Sequence, residues 1–284
     1  MTDMKQDTAR HDEHTAPVEA WDAIAELYDL HVAPGEAELA TAGLRLARLQ
    51  AGDTFLDVAA GPGGLSLPAA RLGARVLATD WSPKMIERFT ARAIAEGLEA
   101  EGRVMDCHAL DLPDDAYDVT GSLFGVMLVA DQPRALREMV RVTKPGGRVL
   151  LIAYGNPAEF EALHVFISAA QAVVPDFEGP PDDEPLLEFQ VADPDVLLQR
   201  LTDAGLRDVT VNTSHQERIT VRTGRQLWDW TIAGNPIPGM LVADLTDGQR
   251  ADIIRVLDGL IRERSGGEGS VVLTAPVNIG VGTK

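Results

Sequence analysis

A single cysteine, Cys107, stands among 284 residues. One thiol excludes an intramolecular disulfide, and without paired Cys/His spacing no zinc or other metal site is expected. Long apolar runs are missing too. None approaches the roughly 20 residues that a helix needs to cross a bilayer, so no membrane span is expected. Positive charge is scarce: 25 Lys and Arg stand against 44 Asp and Glu, a formal net charge of −19. Binding to nucleic acid rests on neutralising phosphates with Lys and Arg. Nucleic-acid partners are therefore disfavoured and a small-molecule partner is expected. The stretch Met1 to Pro17 is polar and charged with no apolar signal-peptide segment, which fits a disordered tail and a cytoplasmic location. Nothing in the pattern decides between a monomer and a homodimer.

What the chain does have is a glycine-rich turn. Residues 55–64 read Phe-Leu-Asp-Val-Ala-Ala-Gly-Pro-Gly-Gly, an apolar strand that meets an acid and then a turn where backbone can approach a ligand closely. A dinucleotide-binding loop wants three glycines in the order G-x-G-x-x-G. Counting from Gly61 gives Gly61, Gly63 and then Ser66, so the third is absent and a nicotinamide-dependent oxidoreductase is disfavoured. A second pattern is an acid followed by glycines two, four and six positions on. Asp57 is followed at those places by Ala59, Gly61 and Gly63. A plain tight turn of an α/β sheet is the remaining reading of this stretch alone.

The residues downstream narrow the choice. Arg75 to Asp80 is a short apolar run ending in an acid, as a second parallel strand should be. Ser82-Pro83 has the N-cap and first-turn chemistry of a helix that runs to about Glu96 and stops at Gly97. A third strand near 101–105 ends at Asp106-Cys107-His108. The turn from Asp111 feeds a fourth strand, and Asp131 to Thr143 reads as a helix with apolar Leu136, Met139, Val140 and Val142. Lys144-Pro145-Gly146-Gly147 breaks it and launches a fifth strand over 148–153. This alternation argues for a parallel sheet covered on both faces.

Residues 51–153 resemble the class I S-adenosylmethionine-dependent methyltransferases, in particular the branch of the ubiquinone/menaquinone biosynthesis methyltransferases. The likeness is carried by LDVAAGPGG (56–64), ATDWSP (78–83), MDCHALDLPDDAYD (105–118) and REMVRVTKPGGRVLLI (137–152). It implies an α/β, Rossmann-like, doubly wound fold: a mostly parallel seven-stranded sheet with helices on both faces and a helical cap over the active site. It implies S-adenosylmethionine as methyl donor, leaving as S-adenosylhomocysteine. Asp57, Ala59, Gly61 and Gly63 are then expected at its methionine portion, Asp80 and Trp81 at ribose and adenine, and Asp106 with Cys107 at adenine. Ser122 and Phe124 would be neighbours of the donor, and Tyr28 would lie over its methionine end. Ala59 departs from the glycine usual there, and an intact site requires a backbone that alanine can adopt, most easily one with negative φ. The reaction implied is methyl transfer by in-line displacement to O, N or C of a small, largely apolar metabolite. The alternative is a chain of this fold that binds the donor without transferring methyl, as a structural cofactor or in a cyclisation.

Acceptor choice is expected outside residues 51–155, the donor-binding core. The division read from the sequence is a tail (1–17), an N-terminal helical cap segment (18–50), the core, a lid insertion (156–192), a core helix and strand (193–223, with the helix at 194–204 and the strand near 207–213), a second cap segment (224–265) and C-terminal strands (266–284). A helix at about 18–31 sets Trp21, Ile24, Tyr28 and His31 along one face. A helix at about 158–174 sets Phe160, His164, Ile167 and Gln171 along another, followed by an acidic, proline-rich stretch. His164, Tyr28 and His31 are the candidate catalytic residues, His164 as general base. Leu227-Trp228-Asp229-Trp230 and Ile232 read as an aromatic helix, residues 235–241 as a rigid turn and 246–264 as a further helix. Aromatic side chains suit a small apolar ligand site.

Overall fold

Strands β1 (Thr54–Val58), β2 (Arg75–Asp80), β3 (Ala100–Val104), β4 (Tyr117–Leu123) and β5 (Thr143–Tyr154) lie side by side in the order β3-β2-β1-β4-β5, each pair parallel. The structure is a computed structural model that describes residues 16–177, 186–267 and 269–284. The central strands are apolar on both faces, as strands covered on both sides must be. In β1, Phe55, Leu56 and Val58 are fully buried. Two further strands complete a seven-stranded sheet: β7 (Val271–Thr283) runs antiparallel between β5 and β6 (Arg207–Val221).

Helices α1 (Val18–His31), α2 (Ala37–Leu46), α3 (Ser66–Arg71), α4 (Pro83–Glu96), α5 (Gln132–Val142) and α7 (Pro194–Asp203) accompany the sheet. Their ends follow local chemistry. The Ser82 hydroxyl accepts from Met85 N at 3.1 Å at the start of α4, and Gly97 ends it at φ 64°. Asp131 caps α5 by accepting from Arg134 N, and Ala135, Leu136, Met139 and Val142 form its buried face.

β6 and β7 continue past the edge of β5. From Pro276 back to Val271, β7 pairs with β6 alone, and this two-stranded ribbon carries a second apolar core. Ile219, Val221, Leu273 and Ala275 meet Phe166 of α6 (Glu161–Val173), Leu227 and Trp228 of α8 (Gly224–Gly234), and Ile253, Leu257 and Ile261 of α10 (Asp247–Arg264). Short α9 (Pro236–Leu241) follows α8.

Several sequence expectations are corrected. β6 reaches Val221 rather than ending near 213, because pairing with β7 carries it through the polar run Asn212–Arg218, with register irregularities near Arg207/Thr210 and Asn212/His215. The C-terminal segment is one strand. Residues 144–147 interrupt the pairing of β4 with β5 between Tyr117↔Thr143 and Val119↔Arg148, so the expected break is a local excursion within one strand. The rigid turn at 235–241 is helical over Pro236–Leu241. α6 starts at Glu161, after a 3₁₀ turn, and buries Ala162, Phe166, Ala169 and Ala170 rather than the stripe containing His164. The tail at 1–15 and residues 178–185 of the proposed lid lie outside the described residues.

Candidate functional site

The loop after β1 is held by a buried carboxylate. Asp57, 1% exposed, accepts from the Ser66 hydroxyl at 2.6 Å through Oδ2, while its Oδ1 has no partner. Burial raises its pKa to about 7 against the lowering effect of Ser66. Beyond it the backbone turns left-handed at Ala59 (φ 52°), Gly61 (φ 55°) and Gly63 (φ 99°). Gly61 has open space where a Cβ would stand, whereas a Cβ on Gly63 would come within 2.5 Å of the Phe89 ring. A side chain on Gly64 would collide with the Glu36 carboxylate, and one on Gly125 with the Ala59 carbonyl. Packing thus favours glycine at these three, and the left-handed backbone favours it at Gly61.

Asp80, at the end of β2, stands beside this loop. Its Oδ2 accepts from Gly61 N and its Oδ1 from Ser82 N, both at 2.9 Å. Burial raises its pKa to about 6 although these backbone donors favour the anion. Asp80 thereby couples the glycine turn to the start of α4. After β3, Asp106 Oδ1 lies 2.7 Å from His108 Nδ1 and accepts from the His108 backbone N–H. Burial pushes the Cys107 thiol up to about 12. Asp106, Cys107 and His108 offer ligand atoms within 4.8 Å of one another, but the Asp and His donors already engage each other.

These residues line a cavity of about 870 Å3, including its open mouth, together with Trp21, Tyr28, Glu36, Trp81 and Phe124. His108 Nε2, in its wall, is buried without a partner. α1 is clamped across it. Asp22 Oδ1 accepts from the Ser82 hydroxyl at 2.5 Å and from Lys84 N, and Asp29 pairs with Arg88 and Arg92 of α4. With Asp22 and Asp29 one face over, Trp21 and Tyr28 at the same i, i+7 spacing turn to the cavity.

A second cavity, about 940 Å3 by the same measure, shares Tyr28, Phe124 and Leu128 with the first. Its wall is mostly aromatic and aliphatic. Phe124 stacks on Tyr154 with ring centroids 4.4 Å apart, Tyr154 meets Phe160 at 4.8 Å, and Phe160 meets Trp230 edge-on at 6.3 Å. Phe124, at the junction, holds φ 55°, a left-handed conformation rare for a bulky side chain and typical of constrained functional sites.

Two tyrosine–carboxylate pairs sit at the same junction. The Tyr28 hydroxyl donates to Glu36 at 2.6 Å, and that of Tyr154 to Glu217 at 2.8 Å. Glu36 and Glu217 are 2% and 1% exposed. Burial raises Glu36 to about 8 and Glu217 to about 7, in each case outweighing the tyrosine hydrogen bond. Both tyrosines are driven well above their ordinary value by burial and by these carboxylates.

Of the residues singled out in the sequence, Tyr28, Ala59, Gly61, Asp80, Trp81, Asp106, Cys107 and Phe124 line the first cavity. Asp57, Gly63 and Ser122 do not reach its wall: Asp57 lies behind the loop, Gly63 packs on Phe89, and the buried Ser122 hydroxyl accepts from Val126 N. Ala59 does not take the negative φ expected of it. His31 lines neither cavity, and His164 is exposed with Nε2 3.1 Å from the Pro157 carbonyl. Sequence reasoning missed Glu36, Tyr154, Glu188 and Glu217. Nothing local marks them, since each matters only through partners far along the chain.

The first cavity fits a nucleoside bearing a cationic tail. The Asp80 carboxylate stands beside Gly61, which leaves open space; Asp106 and His108, whose Nε2 has no partner among the described residues, line it after β3; Glu36 lines it beside the glycine turn.

The family model for the methyltransferase domain matches residues 56–151. An uncharacterized protein of Mycobacterium tuberculosis is 43% identical over 103 residues, 36% of this chain and 38% of that protein. A demethylmenaquinone methyltransferase of Thermus thermophilus is 35% identical over 136 residues, 47% of this chain and 62% of that enzyme. Both matches span less than two thirds of the relative's length. Among solved structures, a putative methyltransferase of Bacillus halodurans superposes with TM-score 0.55 at 15% identity, covering 86% of this chain and 98% of that one. That likeness is one of fold.

Proposed function

We propose that this chain, whose residues 56–151 match the family model for the methyltransferase domain, is a class I S-adenosylmethionine-dependent methyltransferase that transfers a methyl group to a small, largely apolar molecule. One observation carries the reading: the cavity beside the glycine turn adjoins a second, aromatic cavity, and Tyr28, Phe124 and Leu128 belong to the walls of both. When bound, S-adenosylmethionine supplies a methyl carbon that accepts a lone pair from the acceptor while the carbon–sulfur electrons leave on sulfur. Asp80 would hold the ribose hydroxyls, Asp106 and His108 the adenine edge, and Glu36 would face the cationic end. Ala59 and Gly61 bring backbone to the same region. Asp57 supports the turn from behind through Ser66.

Lowering the barrier by holding two reactants in near-attack geometry is worth up to roughly 7–11 kcal/mol. The shared wall of Tyr28, Phe124 and Leu128 supplies that positioning, and the apolar lining excludes water. Where the acceptor must lose a proton, the Tyr28–Glu36 and Tyr154–Glu217 pairs are better placed to receive it than His164. A small-molecule acceptor, no nucleic-acid partner and work in the cytoplasm agree with the acidic composition and lone cysteine. No described helix is long and apolar enough to cross a membrane.

The test is incubation with methyl-labelled S-adenosylmethionine and a panel of apolar amines, phenols and quinols. Label transferred to any panel member, reduced at least tenfold in Tyr28→Phe, is the expected result. Donor binding without transfer to any acceptor would instead favour a chain that uses this fold for another purpose.

A further inference from the structure

The second cavity has an unusual charge pattern. Among the described residues its lining includes no Lys, Arg or His, and the titratable side chains there are Tyr28, Tyr154 and Glu188. Glu188 is 9% exposed and sits in a 3₁₀ turn (Leu187–Phe189) pinned by the Gln132 side-chain amide, which donates to the Leu187 carbonyl at 3.0 Å. Its Oε1 receives one long contact, 3.4 Å from Asn235 Nδ2, and its Oε2 is buried with no partner among the described residues. A carboxylate taken from water without hydrogen bonds is costly, and it demands either a proton or a cation. The same cavity is lined by Tyr154, Phe160, Phe189 and Trp230, aromatic rings whose faces attract positive charge.

We infer that the acceptor is an apolar molecule carrying a protonated amine, which Glu188 binds through Oε2 while the aromatic wall covers the ammonium and its hydrocarbon frame. This rests on the methyltransferase reading above and names the substrate class for the same site. The features are specific to a cation. A neutral hydroxyl gains little from ring faces, and an anion would meet the carboxylate with nothing to offset it. Burial raises the Glu188 pKa, and an ammonium beside the carboxylate favours its anion. For transfer, the ammonium proton passes to Glu188 Oε2 and the freed nitrogen lone pair forms the new bond to the methyl carbon, whose bonding electrons remain on sulfur.

The experiment uses the full chain, with and without saturating S-adenosylhomocysteine, and titrates phenylbutylamine, its alcohol phenylbutanol and its acid phenylbutyrate by calorimetry. The amine is expected to bind at least about tenfold more tightly than the alcohol, with the acid weakest. Glu188→Gln should abolish the preference for the amine while S-adenosylhomocysteine affinity stays unchanged. Trp230→Leu should weaken the amine more than the alcohol. Equal or weaker binding of the amine, no binding of it, or a preference that survives in Glu188→Gln would overturn the inference. Loss of S-adenosylhomocysteine binding with the amine preference intact would instead count against the methyltransferase reading alone.

Discussion

Ala59 places a Cβ in left-handed backbone at φ 52°, where an L side chain costs roughly 1–2 kcal/mol. Ala59→Gly removes that strain but adds unfolded-chain entropy of about 0.4–1 kcal/mol. Net stabilisation on the order of 0.5–1 kcal/mol by urea unfolding is expected, and a destabilised variant would contradict the strain. Glu36 gives the sharpest pH effect. A free glutamate titrates near 4.5 and Glu36 near 8, so between those values the folded chain keeps a proton that the unfolded chain has lost. The associated stability is full below the lower value and disappears as pH rises through about 8. Glu36→Gln, which can still accept from Tyr28, should therefore be more stable than the parent by on the order of 1–3 kcal/mol at about pH 9. The two should converge near pH 4. Parallel curves across that range would show that Glu36 is charged in the fold. The turn's glycines were legible in the sequence, but the sign of φ at Ala59 was not, because the contact that shapes it comes from Gly125, on the loop after β4.

Elements whose ends carry their own chemistry were read closely from sequence: Ser82, Pro83 and Gly97 delimit α4, and Asp131 starts α5. β6 was cut short because Thr213 to Arg218 has no apolar alternation; it is a strand because β7 lies beside it. The same pairing creates the second core, which no local pattern announces. Leu257, fully buried there between α10 and its neighbours, should cost about 2–5 kcal/mol as Leu257→Ala by denaturant unfolding. A loss below about 1 kcal/mol would mean that the ribbon cap adds little to the fold. At the opposite side, α1 depends on α4. Asp22→Ala removes the acceptor for the Ser82 hydroxyl and Lys84 N, and should lower S-adenosylhomocysteine affinity several-fold with a stability loss of about 1 kcal/mol. Unchanged affinity would show that α1 does not position the wall formed by Trp21 and Tyr28.

Across the whole molecule, a parallel sheet carries the first cavity beside its glycine turn, and the antiparallel extension carries helices that line the second. The first was legible because strand, glycine turn and acid follow each other within the chain. The second was legible only in part: Phe160 and Trp230 were singled out in the cap segments, but Tyr154 and Glu188 join them only through the fold. The formal charge of −19 fits a site built largely of carboxylates and aromatic rings around cationic ligands. The central claim is donor binding at the Asp80 side of the glycine turn. Calorimetric titration of S-adenosylmethionine into the parent chain and Asp80→Ala tests it most directly. One-to-one binding, weakened tenfold or more (at least about 1.4 kcal/mol) by the substitution, is the result expected. No binding to the parent chain, equal affinity in the two proteins, or tight binding of NADH in its place would contradict the account.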